Sequence, residues 1–412
     1  MKKVEDLAIF NQKPAFREIL HVGRPNIGNR EKLLSMFNSV LDRNWLTNNG
    51  PFVHEFEQRV ADLLGVKHCI CMCNGTVALE IAVRALGLNH EVIIPSFTFI
   101  ATAHSLQWQA ITPVFCDIDP ETFNIDPEKI ERLITSRTTG IIGVHLWGRP
   151  CEIEKIKTIA DKHNLKLLFD ASHSLGVSYK EKMIGGFGNA ETFSFHATKF
   201  LNSFEGGAVT TNDDELAGKI RLMKNFGFSG LDNVIHIGTN GKMSEVSAVM
   251  GLTSLEDMEG FILMNYRNYK AYISNLADIP GIKMMLYDEN SKNNFHYIIL
   301  EIDRKKTGIS RDNLMHVLHE ENVRARRYFY PGCHRMEPYC SYYPNAKLLL
   351  PKTEKISERV LSLPTGTAIG SDDIEKICEI IRFVVDNGFE IQQKLSGMDN
   401  EENKSNRFHN NI

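Results

Sequence analysis

Between about residues 66 and 212, short apolar runs alternate with helix-like segments, and this rhythm restricts the chain to a mostly parallel sheet covered by helices. The runs are HCICMC, EVIIP, TPVFCDI, GIIGVH, LKLLFD, ETFSF and GAVTT. Among the intervening segments, VALEIAVRAL is apolar almost all round, with Glu80 and Arg84 as its one polar stripe, which predicts a helix buried near the centre. In IDPEKIERLI, Asp126 can cap a helix and Pro127 takes its first position.

Beyond about residue 260 the rhythm changes. NFHYIILEID reads as a strand, ISRDNLMHVLHEENV as a helix and DDIEKICEIIRFVVDNGFEI as a long amphipathic helix. The expectation is an α/β chain with a large unit over residues 12–260 and a smaller α+β unit over 261–393, on which the N-terminal segment is expected to pack. Residues 394–412 are polar and aperiodic and are expected to be a disordered tail.

Charge narrows the partners. The 412 residues carry 47 basic and 51 acidic side chains, a formal charge of -4, with no long single-sign block. Nothing there attracts nucleic acid or an anionic membrane, so a small-molecule substrate is expected. No apolar run reaches the length of a membrane span, and the N-terminus meets Glu5 and Asp6 before any apolar stretch. The eight cysteines are scattered except for Cys69, Cys71 and Cys73, which alternate as one face of a strand would. Core packing is the expectation for them rather than a metal site, and their usage fits a reducing cytoplasm.

Sheets of this kind bind ligands at the carboxyl ends of their strands. After HCICMC, Gly75 and Thr76 open a helix whose first amides can cradle a phosphate. After LKLLF comes Asp170, a carboxylate at the tip of an apolar strand, with His173 three residues on, placed to stack or donate beside the same ligand. After ETF come Ser194 and then Lys199, an amine among Phe193, Phe195 and Phe200, where desolvation lowers its pKa and makes it a nucleophile. Phosphate cradle, terminal carboxylate and aromatic-flanked lysine are the three contacts that pyridoxal phosphate requires. In this reading the phosphate meets the glycine turn and Ser194, the ring nitrogen meets Asp170, and the aldehyde condenses with Lys199. Phe99, in PSFTF, is placed to lie on the ring face.

The stretches NGTVAL, PSFTFIATA, FDASHSLG, SFHATK, EGGAVTTND and GTNGKMSEVSAVMGL resemble, in order, those of the DegT/DnrJ/EryC1/StrS sugar-nucleotide aminotransferases, within fold type I of the pyridoxal-phosphate enzymes. The resemblance covers residues 12 to 390 and implies a seven-stranded, mostly parallel sheet in the large domain. By analogy Gly75, Thr76 and Ser194 hold phosphate, Phe99 stacks, Asp170 pairs with the ring nitrogen and Lys199 is the catalytic lysine. It also implies a homodimer with shared active sites, in which Asn240 reaches the neighbouring subunit's cofactor. Two departures stand out: His173 where the family often has glutamine, and Asn240-Gly241-Lys242-Met243 where it has Asn-Tyr-Arg-Met. GVHLWGRP, SFHATK and YFYPGCHRMEPY are most similar to the branch that aminates dTDP-4-dehydro-6-deoxy-D-glucose at C4, with L-glutamate as donor. Arg24, Trp45, Tyr330 and His334 are candidates for sugar-nucleotide contacts, with packing as the alternative.

Three other readings compete. Amination of a 3-keto sugar is the nearest, because regiochemistry depends on how the substrate lies. A non-catalytic pyridoxal-phosphate-binding regulator would carry an added partner-binding module, and none is visible. A nicotinamide enzyme needs a glycine fingerprint between its first strand and helix, whereas GGFGNAE leads into a strand.

Overall fold

The seven apolar runs form one sheet. Its strands are β1 (His68–Met72), β2 (Glu91–Pro95), β3 (Thr112–Cys116), β4 (Thr138–Val144), β5 (Lys166–Asp170), β6 (Ala190–Ser194) and β7 (Gly207–Thr211). These positions come from a computed structural model that describes residues 3–397. The strand order across the sheet is β1-β7-β6-β5-β4-β2-β3. Neighbours are parallel except at β7, which runs antiparallel to both β1 and β6.

The side-chain period of two explains why the sheet is buried on both faces. Along β1, Cys69 and Cys71 pack on one side with Phe56 and Phe193, while Ile70 and Met72 pack on the other with Val92 and Ile94. Ile141 and Ile142 of β4 divide between the same two clusters. The helix Gly75–Ala85 buries Ala78, Leu79, Ile81, Ala82 and Val83 in the second of them, as its apolar circumference requires.

Strand β1 is an edge strand, and its outer polar groups are closed by a buried ion pair. Glu57 Oε1 accepts from the Cys71 amide at 2.8 Å and from Lys224 Nζ at 2.9 Å, and Lys224 Nζ also donates to the Cys71 carbonyl at 3.1 Å. Both charged side chains are only 7% exposed. Without them this stretch of backbone would be buried with unpaired groups.

A second sheet follows, with β8 (Ile282–Met284), β9 (Ile298–Ile302) and β10 (Val360–Leu363) antiparallel in that order. Helices Met258–Leu276, Arg311–Glu320 and Ser371–Asp386 share its core through Tyr272, Leu314 and Ile381. The N-terminal segment joins here: Leu20 pairs with Val323, and Glu321 accepts from the amides of Ala8 and Ala15 at 2.8 and 2.7 Å. One expectation needs correction. Residues 388–397 are helical, and Ile391 and Leu395, four apart, are buried in this core, so the polar tail does not begin at 394. Its remainder, 398–412, lies outside the described residues.

Candidate active site

Because β1, β2, β5 and β6 run the same way, their carboxyl ends share one edge of the sheet. Strand β7 starts at that edge, with Gly207 opposite both Met72 and Ser194. A cavity of about 310 Å³ opens there, and its lining includes Gly75, Thr76, Phe99, Asp170, His173, Ser194 and Lys199. Asn240 is the one expected cofactor residue that this chain does not bring to the cavity. It lies exposed beyond the 226–239 segment, bridged to Asn225. A larger cavity, about 590 Å³, lies against β3 and Leu349, but its lining offers no amine, carboxylate or thiol.

The phosphate cradle is set by close packing. Asn74 caps the helix, accepting from the Val77 amide at 2.8 Å, and its carbonyl takes the Ala78 amide. That leaves the Gly75 and Thr76 amides without an acceptor among the described residues, aimed outward at the positive end of the helix dipole. A Cβ at Gly75 would sit 3.0 Å from Ser194 Cβ, so glycine is what lets this helix start approach the serine.

Asp170 ends β5 and is 5% exposed. Its Oδ2 accepts from the Thr102 hydroxyl at 2.9 Å and its Oδ1 from the Ser172 amide at 3.1 Å. Neither partner is charged, so the carboxylate remains available to a cationic group in the cavity. Lys199 follows β6 in a turn closed by its own amide to the His196 carbonyl at 2.8 Å. Burial lowers its pKa to about 8, against a smaller opposing pull from Asp170. Phe193, Phe195 and Phe200 are all buried, but they pack in the core cluster with Phe56, and none of them lines the cavity that Lys199 enters.

His173 is 8% exposed, and its ring stacks on Phe329 at 5.9 Å and tilts against Tyr297 at 4.8 Å. Burial, then the Lys199 charge, drives its pKa well below the usual histidine value. Phe99 stands 54% exposed at the cavity, its ring 6.2 Å from Phe329. Amine, carboxylate, free helix amides and an exposed aromatic face therefore surround one space, a donor set that fits pyridoxal phosphate.

Comparisons with known proteins agree. The profile of the DegT/DnrJ/EryC1/StrS aminotransferase family matches residues 28–382. The chain belongs to this family. It is thus an aminotransferase, and pyridoxal phosphate is its cofactor. It is 39% identical to the dTDP-4-amino-4,6-dideoxy-D-glucose transaminase of Shigella dysenteriae over 90% of this chain and 99% of that one. The enzyme of the same name from Escherichia coli is 34% identical over 87% and 97%. Among solved structures, DesI in the presence of its TDP-sugar product is 47% identical with a TM-score of 0.91, covering 96% of this chain and all 100% of that one.

The structure adds cavity residues that sequence reasoning did not single out: Tyr297, Tyr328 and Phe329, with Thr102 behind Asp170. Thr102 had a signal, since it sits three residues after Phe99, in the first turn of the helix Ala101–Gln107. The aromatic residues come from segments whose strand and loop patterns give no sign that they return to the first sheet. Of the four candidate substrate contacts, none lines this cavity. His334 is a packing residue: its Nδ1 lies 2.6 Å from Ser96 Oγ and its Nε2 2.5 Å from Glu354.

Proposed function

We propose that the protein transfers the amino group of L-glutamate to C4 of dTDP-4-dehydro-6-deoxy-D-glucose, giving dTDP-4-amino-4,6-dideoxy-D-glucose. The observation that carries the chemistry is Lys199, an amine with its pKa lowered to about 8, in one cavity with Asp170 and the helix start at Gly75. The substrate assignment draws on the transaminases of Shigella dysenteriae and Escherichia coli, which match nearly end to end.

Bound in this cavity, pyridoxal phosphate supplies an electron sink for the carbanion left when a substrate proton departs, and it stores the amino group between donor and acceptor. The chain's residues do the rest. The Gly75 and Thr76 amides and the Ser194 hydroxyl bind the phosphate. Asp170, held by Thr102 and Ser172, keeps the ring nitrogen protonated. Phe99 covers one ring face. Lys199 is the base that removes the proton from the donor carbon and returns one at the sugar carbon. With a pKa of about 8, roughly a quarter of the free amine is neutral at about pH 7.5, against about one part in a thousand for an ordinary lysine.

The active unit in this reading is a homodimer. The 226–240 segment exposes Phe226, Leu231, Val234, Ile235 and Ile237, and Leu231 is 95% exposed. An apolar arm of this kind needs a cover, and a second copy that receives Asn240 at its own cavity provides one. The change of pattern near residue 260 is read as the boundary between a cofactor-binding domain and a smaller C-terminal domain. The eight unpaired thiols fit a cytoplasmic location. Among the described residues, no helix is long and apolar enough to cross a membrane.

The test is an absorbance spectrum with pyridoxal phosphate, then with glutamate, then with the ketosugar, using Lys199→Ala as control. The proposal requires a lysine-dependent visible band that glutamate bleaches and the ketosugar restores, with the amine at C4 of the product. An amine at C3, or no restoration, overturns the substrate assignment.

A further inference from the structure

Trp147 is fully buried yet has a left-handed backbone, φ 53° and ψ 27°, which a bulky L residue rarely adopts. Two hydrogen bonds hold it there. Its carbonyl accepts from the Tyr287 hydroxyl at 2.9 Å, and its amide donates to His173 Nδ1 at 3.1 Å. Phe97 and Phe123 pack edge-on against the indole at 5.6 and 5.3 Å, fixing the turn from the other side.

A backbone N–H can only donate, so His173 Nδ1 must be the unprotonated nitrogen and the proton of the neutral ring sits on Nε2. The backbone of His173 is pinned as well: Asn294 Nδ2 donates to its carbonyl at 2.8 Å and to that of Leu175 at 3.0 Å. Phe329, stacked parallel to the imidazole at 5°, blocks the ring from turning over. Nε2 has no protein partner among the described residues, and the side chain lines the cofactor cavity.

We propose that the turn at residues 146–148 is a tautomer lock: Trp147, anchored by Tyr287, makes His173 a permanent Nε2–H donor to the anionic ring oxygen of the bound cofactor. Trp147 and Tyr287 are positioning residues, acting through His173. The inference rests on pyridoxal phosphate occupying the Asp170–Lys199 cavity. The titratable groups around His173 are Lys199, His296, Tyr297, Tyr328 and Asp170. The two cations-in-waiting, Lys199 and His296, oppose protonation of the imidazole, and burial acts in the same direction. His296 is itself pushed down to about 3, chiefly by burial. The donor therefore stays neutral across the working pH range.

The experiment is 15N NMR of the histidine-labelled holoenzyme from about pH 6 to 9, with the His173 signals identified by their loss in His173→Gln. One ring nitrogen protonated, at Nε2, without change over that range is the expected result. An Nδ1–H tautomer or a protonated ring would overturn the proposal. Tyr287→Phe should introduce the second tautomer, and an unchanged single signal would remove Tyr287 from the lock.

A second arm reads the cofactor through the pH midpoint of its visible band. A donor on the ring oxygen competes with the imine proton for that oxygen, so its loss in His173→Phe should raise the midpoint by about one to two pH units. His173→Gln should restore it, which a purely structural histidine would not predict. Absence of any visible band in the unaltered protein would indict cofactor binding itself. A normal band with no shift in His173→Phe would indict the lock alone.

Discussion

Replacing Glu57 by leucine tests how the edge of the main sheet is held, and the size of the effect follows from the three hydrogen bonds described. The change removes the acceptor of the Cys71 amide and, among the described residues, the only carboxylate paired with Lys224. A buried amide left unpaired costs about 1–3 kcal/mol, and breaking a buried ion pair from one side costs about 3–5 kcal/mol. These overlap, because the ammonium keeps the Cys71 carbonyl, so the net expectation for Glu57→Leu is about 3–5 kcal/mol. The double replacement Glu57→Leu with Lys224→Met removes the stranded charge and leaves only strand polar groups unpaired. It should be no less stable than Glu57→Leu alone, although each single change is destabilising. Urea unfolding at fixed protein and cofactor concentration reads this as a midpoint shift of about 1 M or more for the single variant. A loss below about 1 kcal/mol, or a double variant well below the single one, would refute the reasoning.

Lys199→Arg keeps a cation but removes the amine that moves the proton; turnover should fall at least about 10²–10⁴-fold in a coupled glutamate assay while the fold, by circular dichroism, is retained. The lowered pKa of Lys199 also predicts a stability slope. The unfolded chain binds the lysine proton up to its ordinary value of 10.5 and the folded cofactor-free chain only to about 8, so stability should rise with pH between those values, and Lys199→Met should flatten that rise in denaturant titrations. Gly75→Ala puts a methyl 3.0 Å from Ser194 Cβ and should weaken pyridoxal phosphate binding by about 10-fold in a fluorescence titration, with little change in melting temperature. Leu231→Asp together with Ile237→Asp places two charges on the exposed arm; light scattering should show monomers, and activity should disappear with the dimer.

The large sheet was legible because each of its strands is a short apolar run bounded by turn residues, and the chemistry was legible because Gly75, Asp170 and Lys199 each stand just past such a run. The direction of β7 was not legible. GAVTT reads the same in a parallel or an antiparallel slot, and only its pairing with both Met72 and Ser194 through Gly207 decides. The lock on His173 was out of reach for a different reason. Its members, Trp147, Tyr287 and Asn294, lie 26, 114 and 121 positions away in the sequence and meet only when the second sheet docks. The helix starting at Asp126 was found, but it runs only Pro127–Ile130 before tightening into a 3-10 turn, because nothing in a local signal sets where packing ends a helix. His334 shows the opposite limit. It lies in a stretch that resembles the family, yet its ring serves Ser96 and Glu354 instead of the cavity.

The antiparallel course of β7 has a consequence for the order in which the site assembles. Lys199 sits on the connection between β6 and β7, which are adjacent in both sequence and space, so the lysine can be enclosed by a local, hairpin-like event. The phosphate cradle is different: β1 finds β7 only after about 135 intervening residues have been placed, because Met72 pairs with Gly207. Loop-closure entropy puts such distant pairing late. The reactive amine should therefore be housed before the chain can hold the cofactor's phosphate, and the amides of β1 should gain hydrogen-exchange protection after those of β6 during refolding. Early protection of β1 would contradict that sequence of events. If it holds, free pyridoxal phosphate meets a half-built pocket during folding, and docking of the edge strand is the step that its binding drives forward.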